Sequence, residues 1–255
     1  MIMYNLRFLL ILFVVPLSTA SAGQRVLGES LLAPGTPLQI LDAADSGIVV
    51  SIQNWQQRLK SSQLPATKGM REQGITIIPV SLAEKPIAWC VTFALDDSSG
   101  GSRSIAILIS RQSGAFKLEN EWSLDTEALG ELGYSRRTQS FSTEVGTLLR
   151  KTKLLTVEGI IDKQDCGCLV CQSRTMELRE EETYAWNVET RSFQRTLYEK
   201  RYVAQPGEGV MAVARKALGD ARLIAKLSRL NPELKPGSGL KEGQLILVER
   251  RTGAE

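Results

Sequence analysis

The chain has 255 residues, of which 43% are hydrophobic, and it carries a formal net charge of +3. This length allows one sizeable domain plus a small one, and the apolar content is typical of a globular protein. So mild a charge argues against a dedicated nucleic-acid binder, which would show clustered basic residues. The chain has no histidine, so imidazole bases, histidine metal ligands and Ser-His or Cys-His catalysis are excluded.

The amino-terminal segment has the pattern of a secretory signal peptide. Arg7 precedes an apolar run over residues 8–17, and the segment closes on Ala20-Ser21-Ala22. Because the run is shorter than the roughly twenty residues that span a bilayer, cleavage after Ala22 is favoured over a retained anchor. No cysteine lies at the cleavage site, which argues against a lipoprotein. We predict a signal peptide over residues 1–22, no later transmembrane segment, and an exported protein that is periplasmic, cell-wall associated or secreted.

The next segment is predicted to hold a leader and a helix. Residues 23–44 contain Pro34-Gly35 and Pro37, and this composition predicts an extended leader. Apolar residues then recur at helical spacing and predict a helix that ends before Pro65. These residues are Ile48, Ile52, Trp55 and Leu59.

Residues 45–200 are predicted to form one α+β domain with an antiparallel sheet. Strand-like runs occupy residues 75–78, 89–95, 105–109 and 115–122. Two helical pieces are predicted next, around Leu129, Leu132, Val145, Leu148 and Leu149. Strand-like runs resume over residues 154–161, 173–178, 183–188 and 192–198. We recognise no family in these residues, and they do not indicate what this domain does.

The chain has four cysteines, Cys90, Cys166, Cys168 and Cys171. An even number in an exported protein favours disulfides, and four cysteines allow three pairings. We predict two disulfides, one of which links the strand of Cys90 to the loop that holds the other three. A zinc site of four thiolates is an alternative, because Cys168-x-x-Cys171 has half-site spacing, and free or redox-active thiols are another. We predict no catalytic residue and no cofactor.

Residues 201–250 alternate between turn signals and short apolar stretches. Tyr202-Val203 and residues 245–248 suit strands at the two ends. The turn and helix-end signals between them are Pro206-Gly207, Gly219, Asp220 and Asn231-Pro232. Two helical stripes are predicted, the first made of Val210, Val213, Ala214 and Ala217 and the second of Leu223, Ile224, Leu227 and Leu230.

This segment resembles the LysM module, a family that recognises glycans containing N-acetylglucosamine. The resemblance rests on the Tyr-x-Val opening, the Pro-Gly-acidic turn, the Leu-Asn-Pro after the second helix and the Gly-Gln-x-Leu-x-Val close. It implies a small βααβ module that follows the α+β domain. The chain departs from the family where Glu208, Gly209 and Val210 replace an aspartate, a threonine or serine, and a leucine. The missing hydroxyl removes a helix cap and a candidate hydrogen bond to the ligand.

The resemblance also implies a shallow glycan groove between the loop before the first helix and the loop after the second. Backbone amides and carbonyls would pair with an N-acetyl group there, and small or apolar residues would pack against its methyl. The other interpretation is that these are turn residues that serve only the fold. The implied glycan-binding residues are Gly207, Glu208, Gly209, Val210, Asn231, Pro232, Glu233 and Leu234.

We therefore expect an exported, non-catalytic protein that binds peptidoglycan, or a related N-acetylglucosamine polymer, through residues 201–250. One alternative is a cell-wall hydrolase with a carboxylate-based middle domain, although the sequence singles out no pair of Asp or Glu residues. The other alternative is a structural component of an envelope assembly, in which the groove contacts a protein partner.

Overall fold

The computed structural model of the protein describes residues 24–43, 47–60, 67–70, 74–97, 102–125, 127–130, 133–160, 172–235, 237 and 239–253. The predicted signal peptide over residues 1–22 lies outside these ranges. The described residues form fifteen strands, two short α-helices and one 3₁₀ turn. Within each sheet, the described neighbouring strands are antiparallel. The predicted α+β class is therefore wrong, because the fold is mainly β.

Sheet A is a four-stranded sheet formed by the first described residues. It replaces both the predicted leader and the predicted helix. A spacing of four residues keeps Ile48 and Ile52 on one face of a strand as well as of a helix, and the run Ile48-Val49-Val50 is β-branched, which favours the strand. The turn at Gln53-Asn54 (Gln53 φ 52°) then reverses the chain before Trp55. The strands of sheet A, in spatial order, are β1 (Arg25–Ala33), β2 (Thr36–Asp42), β3 (Ile48–Ile52) and β4 (Trp55–Arg58).

Sheet B is a five-stranded sheet built on two long apolar strands. The runs predicted over residues 89–95 and 105–109 lie in its two central strands, so those strand predictions are confirmed. The spatial order is β5-β7-β8-β9, and β6 also pairs with β7. Its strands are β5 (Thr67–Met70), β6 (Thr76–Leu82), β7 (Lys85–Asp97), β8 (Ser102–Gln112) and β9 (Ala115–Asp125).

Sheet C contains six strands in chain order. It includes the segment around Leu129 to Leu149 that was predicted to be helical, and that prediction is wrong. The residues between those leucines are largely Ser, Thr and Arg, and they pair in register with the next strand from Gly133↔Glu158 to Glu144↔Thr147. Its strands are β10 (Glu127–Gly130), β11 (Gly133–Glu144), β12 (Thr147–Ile160), β13 (Gln172–Asn187), β14 (Ser192–Val203) and β15 (Leu245–Thr252).

Sheet B is the middle layer of three. Side chains alternate between the two faces of a strand, so neighbouring residues of β7 and β8 enter different cores. Trp89 and Ile107 pack with sheet A, whereas Cys90 and Leu108 pack with Leu148 and Tyr184 of sheet C. Burial on both faces explains why these strands are continuous apolar runs.

The helices lie between β14 and β15. They are α1 (Val210–Leu218) and α2 (Ile224–Leu230), with a 3₁₀ turn over Ala221–Leu223 between them. They pack on the face of sheet C that also meets sheet B further along the strands. No helix of the described chain combines the length and the apolar character needed to cross a membrane.

The predicted separate βααβ module is wrong, because its flanking strands belong to sheet C. β14 begins at Ser192 and pairs with β13 from Asn187↔Ser192 to Glu177↔Val203, so it crosses the predicted boundary at residue 200 without interruption. The core under the helices also includes Leu154, Met176 and Leu178, which come from β12 and β13. Fifty residues bury little surface by themselves, and here the long sheet provides the missing apolar surface.

Candidate functional site

The first candidate loop connects β14 to α1. Gly207 has a φ of 76° in the turn after Pro206, a conformation that glycine adopts without the penalty of a Cβ atom. The amide of Glu208 donates to the Gln205 carbonyl at 3.2 Å and closes this turn. Gly209 is the N-cap of α1 and, having no side chain, provides no capping hydrogen bond.

Glu208 is buried beneath this loop and holds it in place. Its Oε1 accepts hydrogen bonds from the Tyr202 hydroxyl at 3.0 Å and from Lys216 Nζ at 2.5 Å, and its Oε2 accepts from the Gln205 amide at 2.8 Å. Burial of the Tyr202 phenol, together with the hydrogen bond to Glu208 and the charge of its carboxylate, raises the pKa of Tyr202 above its ordinary value. A carboxylate with three donors is satisfied, so Glu208 braces the loop from within.

The second candidate loop follows α2 and is held by Asn231. The Nδ2 of this buried side chain donates to the carbonyls of Leu227 and Leu247, each at 2.8 Å. Its Oδ1 accepts from the Leu247 amide at 2.8 Å. These three bonds tie the end of α2 to β15 and fix where the loop leaves the helix.

The two loops meet each other. The Leu240 amide donates to the Glu208 carbonyl at 3.0 Å, and Gly209 forms an isolated antiparallel bridge with Gly239. Sequence reasoning placed neither Gly239 nor Leu240 at the site, although the glycines of the loop were a signal that two backbones approach closely there. We name residues 205–210, 231–235, 237, 239 and 240 together the paired loops.

The predicted glycan-binding residues divide into two groups of four. The buried group supports the loops, and its two apolar members, Val210 and Leu234, pack in the core under the helices. In the other group, Gly207, Pro232 and Glu233 are exposed and Gly209 is half-buried. Side-chain contact with a ligand is therefore restricted to Pro232 and Glu233, and the two glycines can offer only backbone groups.

Cys90 is buried between sheets B and C and carries a free thiol. Burial raises its pKa to about 12, although the nearby Arg150 lowers it, so the reactive thiolate is scarce at neutral pH. Within the described residues Cys90 forms no disulfide, and the predicted pairing with the cysteine loop stays a prediction. Its proposed partners, Cys166, Cys168 and Cys171, lie outside the described residues.

A charged cluster joins sheets B and C beside Cys90. Glu182 is buried and accepts from Arg150 at 2.5 Å and from Arg195 at 3.2 Å. Arg150 lies 5.7 Å from the ring centre of Trp122, whose indole donates to the Tyr184 hydroxyl at 3.3 Å. Because its charges are paired, this cluster fixes the packing of the two sheets rather than offering a reactive group.

A cavity of about 450 Å³ lies on sheet C and includes two glutamates in its lining, Glu180 and Glu181. These residues are consecutive on β13, so their side chains leave opposite faces of the sheet. They cannot flank one glycosidic bond as an acid and a base must.

The described residues contain no group of His, Cys, Asp and Glu side chains that could hold a metal ion. The alternative four-thiolate zinc site depends on cysteines outside these residues.

Comparisons with protein-family models, with curated proteins and with solved structures found no match to this chain.

Proposed function

We propose that this protein binds peptidoglycan, or a related N-acetylglucosamine polymer, through the paired loops and without catalysis. The observation that carries the proposal is the junction of the loops, where Leu240 bonds to Glu208 and Gly209 bridges Gly239. The exposed residues of the two loops include Gly207, Pro232, Glu233 and Gly239, and we name these four residues the rim. The resemblance of residues 201–250 to the LysM module supplies the class of ligand.

The rim suits a sugar ring because its glycines allow close approach to the backbone. An N-acetyl group offers one amide donor and one carbonyl acceptor, which pair with backbone groups at such a surface. The exposed carboxylate of Glu233 accepts hydrogen bonds from sugar hydroxyls. Because Glu208 and Asn231 fix both loops from below, little conformational entropy is lost when the polymer binds.

Export is the second part of this proposal. A signal peptide over residues 1–22 would deliver the chain to the periplasm or the cell wall. Peptidoglycan lies in that compartment, so the proposed ligand and the proposed location agree.

A pelleting experiment tests the proposal. The purified protein without residues 1–22 is mixed with insoluble peptidoglycan and, separately, with chitin, which is uncharged. Replacing Pro232→Ala and Glu233→Ala together should weaken binding about three- to tenfold, the value of one or two net hydrogen bonds. Glu242→Ala is the matched control, since Glu242 is an exposed glutamate of the same connection at the turn before β15.

Equal binding by the double variant and the control would show that the rim is not the glycan site. Absence of wild-type binding to both polymers would reject the function. A variant truncated after Lys200 is unsuitable for this test, because it cuts β14 and removes β15 from sheet C.

A further inference from the structure

The face of sheet C turned away from the helices and from sheet B carries many charges. We name the part of this face on β12 to β15 the outer face. Its charged residues occupy alternate positions of each strand and include five cations and three carboxylates, an excess of two positive charges. The cations are Lys151, Lys153, Arg179, Arg201 and Arg250, and the carboxylates are Glu177, Glu181 and Glu199.

Three cations of the outer face lie side by side. Lys153 is directly opposite Arg179, and Arg179 is directly opposite Arg201, on three neighbouring strands. Like charges in this position destabilise a sheet, and neighbouring strands are only about 4.8 Å apart. Carboxylates of the same face must offset a row of this kind, and the positive charge that they leave over is available to an anion.

Glu177 and Glu199 are each shared between two cations, so the carboxylates of the outer face neutralise the row only in part. Glu177 accepts from Lys153 at 3.0 Å and from Arg179 at 2.8 Å. Glu199 is buried between Arg201 and Arg250 and forms ion pairs with both.

The remaining charges are weakly matched. Glu181 is 3.7 Å from Arg201, at the outer limit of an ion pair. Lys151 is exposed, and no ion pair to it is found within the described part of the chain.

The cavity of about 450 Å³ lies over this row. Its lining adds the hydroxyl groups of Thr138 and Ser140 from β11 and the half-exposed side chain of Leu245 at one end. No aromatic side chain is among its described lining residues, so it lacks the stacking platforms with which proteins hold nucleic-acid bases. The lining has four cations, Lys151, Lys153, Arg179 and Arg201, against two glutamates, Glu180 and Glu181. This positive excess, together with the hydroxyl groups and one apolar side chain, matches a chain of sugars that carries acidic groups.

We propose that the outer face is a second binding site, for a polyanionic polysaccharide whose acidic groups lie across Lys153, Arg179 and Arg201. Its chemistry is electrostatic and does not require an N-acetyl group. The site therefore acts independently of the paired loops, which are on the opposite side of the sheet.

Binding of polygalacturonate, a polysaccharide with carboxylates and no N-acetyl group, tests this site. The full exported chain should bind it, and the Kd should rise steeply with salt because exposed charges are screened. The double variant Lys151→Gln with Lys153→Gln should weaken binding about tenfold, the effect of two exposed charge contacts. Chitin binding by this variant should stay unchanged.

The matched control removes two positive charges elsewhere, by Lys85→Gln and Arg222→Gln. Both side chains are exposed and lie outside the outer face, so this control should weaken polygalacturonate binding less than twofold. Thermal melts of both double variants show whether the fold is kept.

Three results would overturn the proposal. One is the absence of polygalacturonate binding, and another is an equal loss in the two double variants. The third is tighter binding of poly-L-glutamate or single-stranded DNA than of the polysaccharide, which would assign the face to a protein or a nucleic acid. If chitin binding fails while polygalacturonate binding persists, the paired-loop function is rejected and this site stands.

Discussion

Sheet B and the helical region, which comprises α1, α2 and the paired loops, are stabilised in different ways. In sheet B, the strands β7 and β8 are buried on both faces by apolar side chains. Val91 and Ile107 lie on one face and Leu108 on the other, and each is fully buried. In the helical region, hydrogen bonds of buried polar side chains hold the loops in position. Glu208 holds one loop and Asn231 holds the other, through six hydrogen bonds in all.

The difference shows that sheet B is the scaffold of the molecule, whereas the paired loops are surface segments held in one conformation. Apolar burial is not directional, so it stabilises layers without fixing the path of a loop. Buried hydrogen bonds are directional, and each fixes one backbone segment at the cost of a large penalty if a partner is lost. Substitutions in the two regions should therefore have different effects.

The largest effect is expected at Ile107. Ile107→Ala should lower the free energy of unfolding by about 3–4 kcal/mol, because it opens a cavity in the core between sheets A and B. Ile107→Val is the matched control and should cost about 1 kcal/mol. Urea unfolding measures both. A loss below about 1.5 kcal/mol for the alanine variant would mean that sheet A packs loosely on sheet B.

The next effect is expected at Asn231. Asn231→Ala removes three hydrogen bonds and leaves the backbone of Leu247 without those partners, which should cost about 2–3 kcal/mol in local stability. Hydrogen exchange should show faster exchange in α2 and β15 while β7 and β8 keep their protection. Glu233→Ala, at an exposed neighbour, is the control and should change neither. Faster exchange throughout the chain would contradict the distinction between the two regions.

A smaller and pH-dependent effect is expected at Tyr202. Tyr202→Phe removes the hydrogen bond to Glu208 and should cost about 1 kcal/mol at pH 7. Since the folded-state pKa of Tyr202 is raised, its contribution is complete below the unfolded pKa of about 10 and is lost as the pH rises above it. The difference between wild type and variant should therefore shrink at pH 11.

Urea unfolding at pH 7 and pH 11 checks this expectation. Tyr134→Phe, at an exposed tyrosine of β11, is the control for loss of a phenol hydroxyl and should change the free energy of unfolding at pH 7 by less than about 0.5 kcal/mol. A gap for Tyr202→Phe that widens at pH 11 would show that the ionised phenol is accommodated next to Glu208.

The smallest effect is expected at Gly209, and it is stabilising. Gly209→Ser introduces a hydroxyl at the N-cap of α1, whose present residue gives no capping bond, and should add a few tenths of a kcal/mol. The backbone there (φ −110°, ψ 169°) is open to any residue. A thermal melt measures the change, and chitin pelleting shows whether the hydroxyl also improves glycan binding. A lower melting temperature would mean that the bridge to Gly239 leaves no room for a side chain.

Local signals in the sequence predicted several elements correctly. The apolar runs over residues 89–95 and 105–109 are strands, since continuous β-branched and aromatic residues suit a sheet buried on both faces. α1 ends at Gly219, which has a φ of 81°. Asp220 caps the following turn and accepts from the Arg222 amide at 2.8 Å. Each of these signals acts within a few residues, so it can be read before the chain folds.

Long-range pairing decided the rest. The spacing of Ile48 and Ile52 fits a helix or a strand equally well. Pairing with β2 and β4, together with the β-branched run over residues 48–50, selected the strand. Glutamate is usually a surface residue, yet Glu208 is buried in contact with Tyr202 and Lys216. The alignment of Lys153, Arg179 and Arg201 depends on the register of three strands and is invisible along the chain.

The sequence by itself determined the turns, the ends of the helices and the most apolar strands, because those depend on local backbone preferences and on side-chain period. Only the tertiary structure decided that residues 201–250 complete a six-stranded sheet instead of folding as a separate module. The physical reason is apolar area. The helices cannot cover a sufficient core with their own two strands, and Leu154, Met176 and Leu178 of the long sheet supply the remainder.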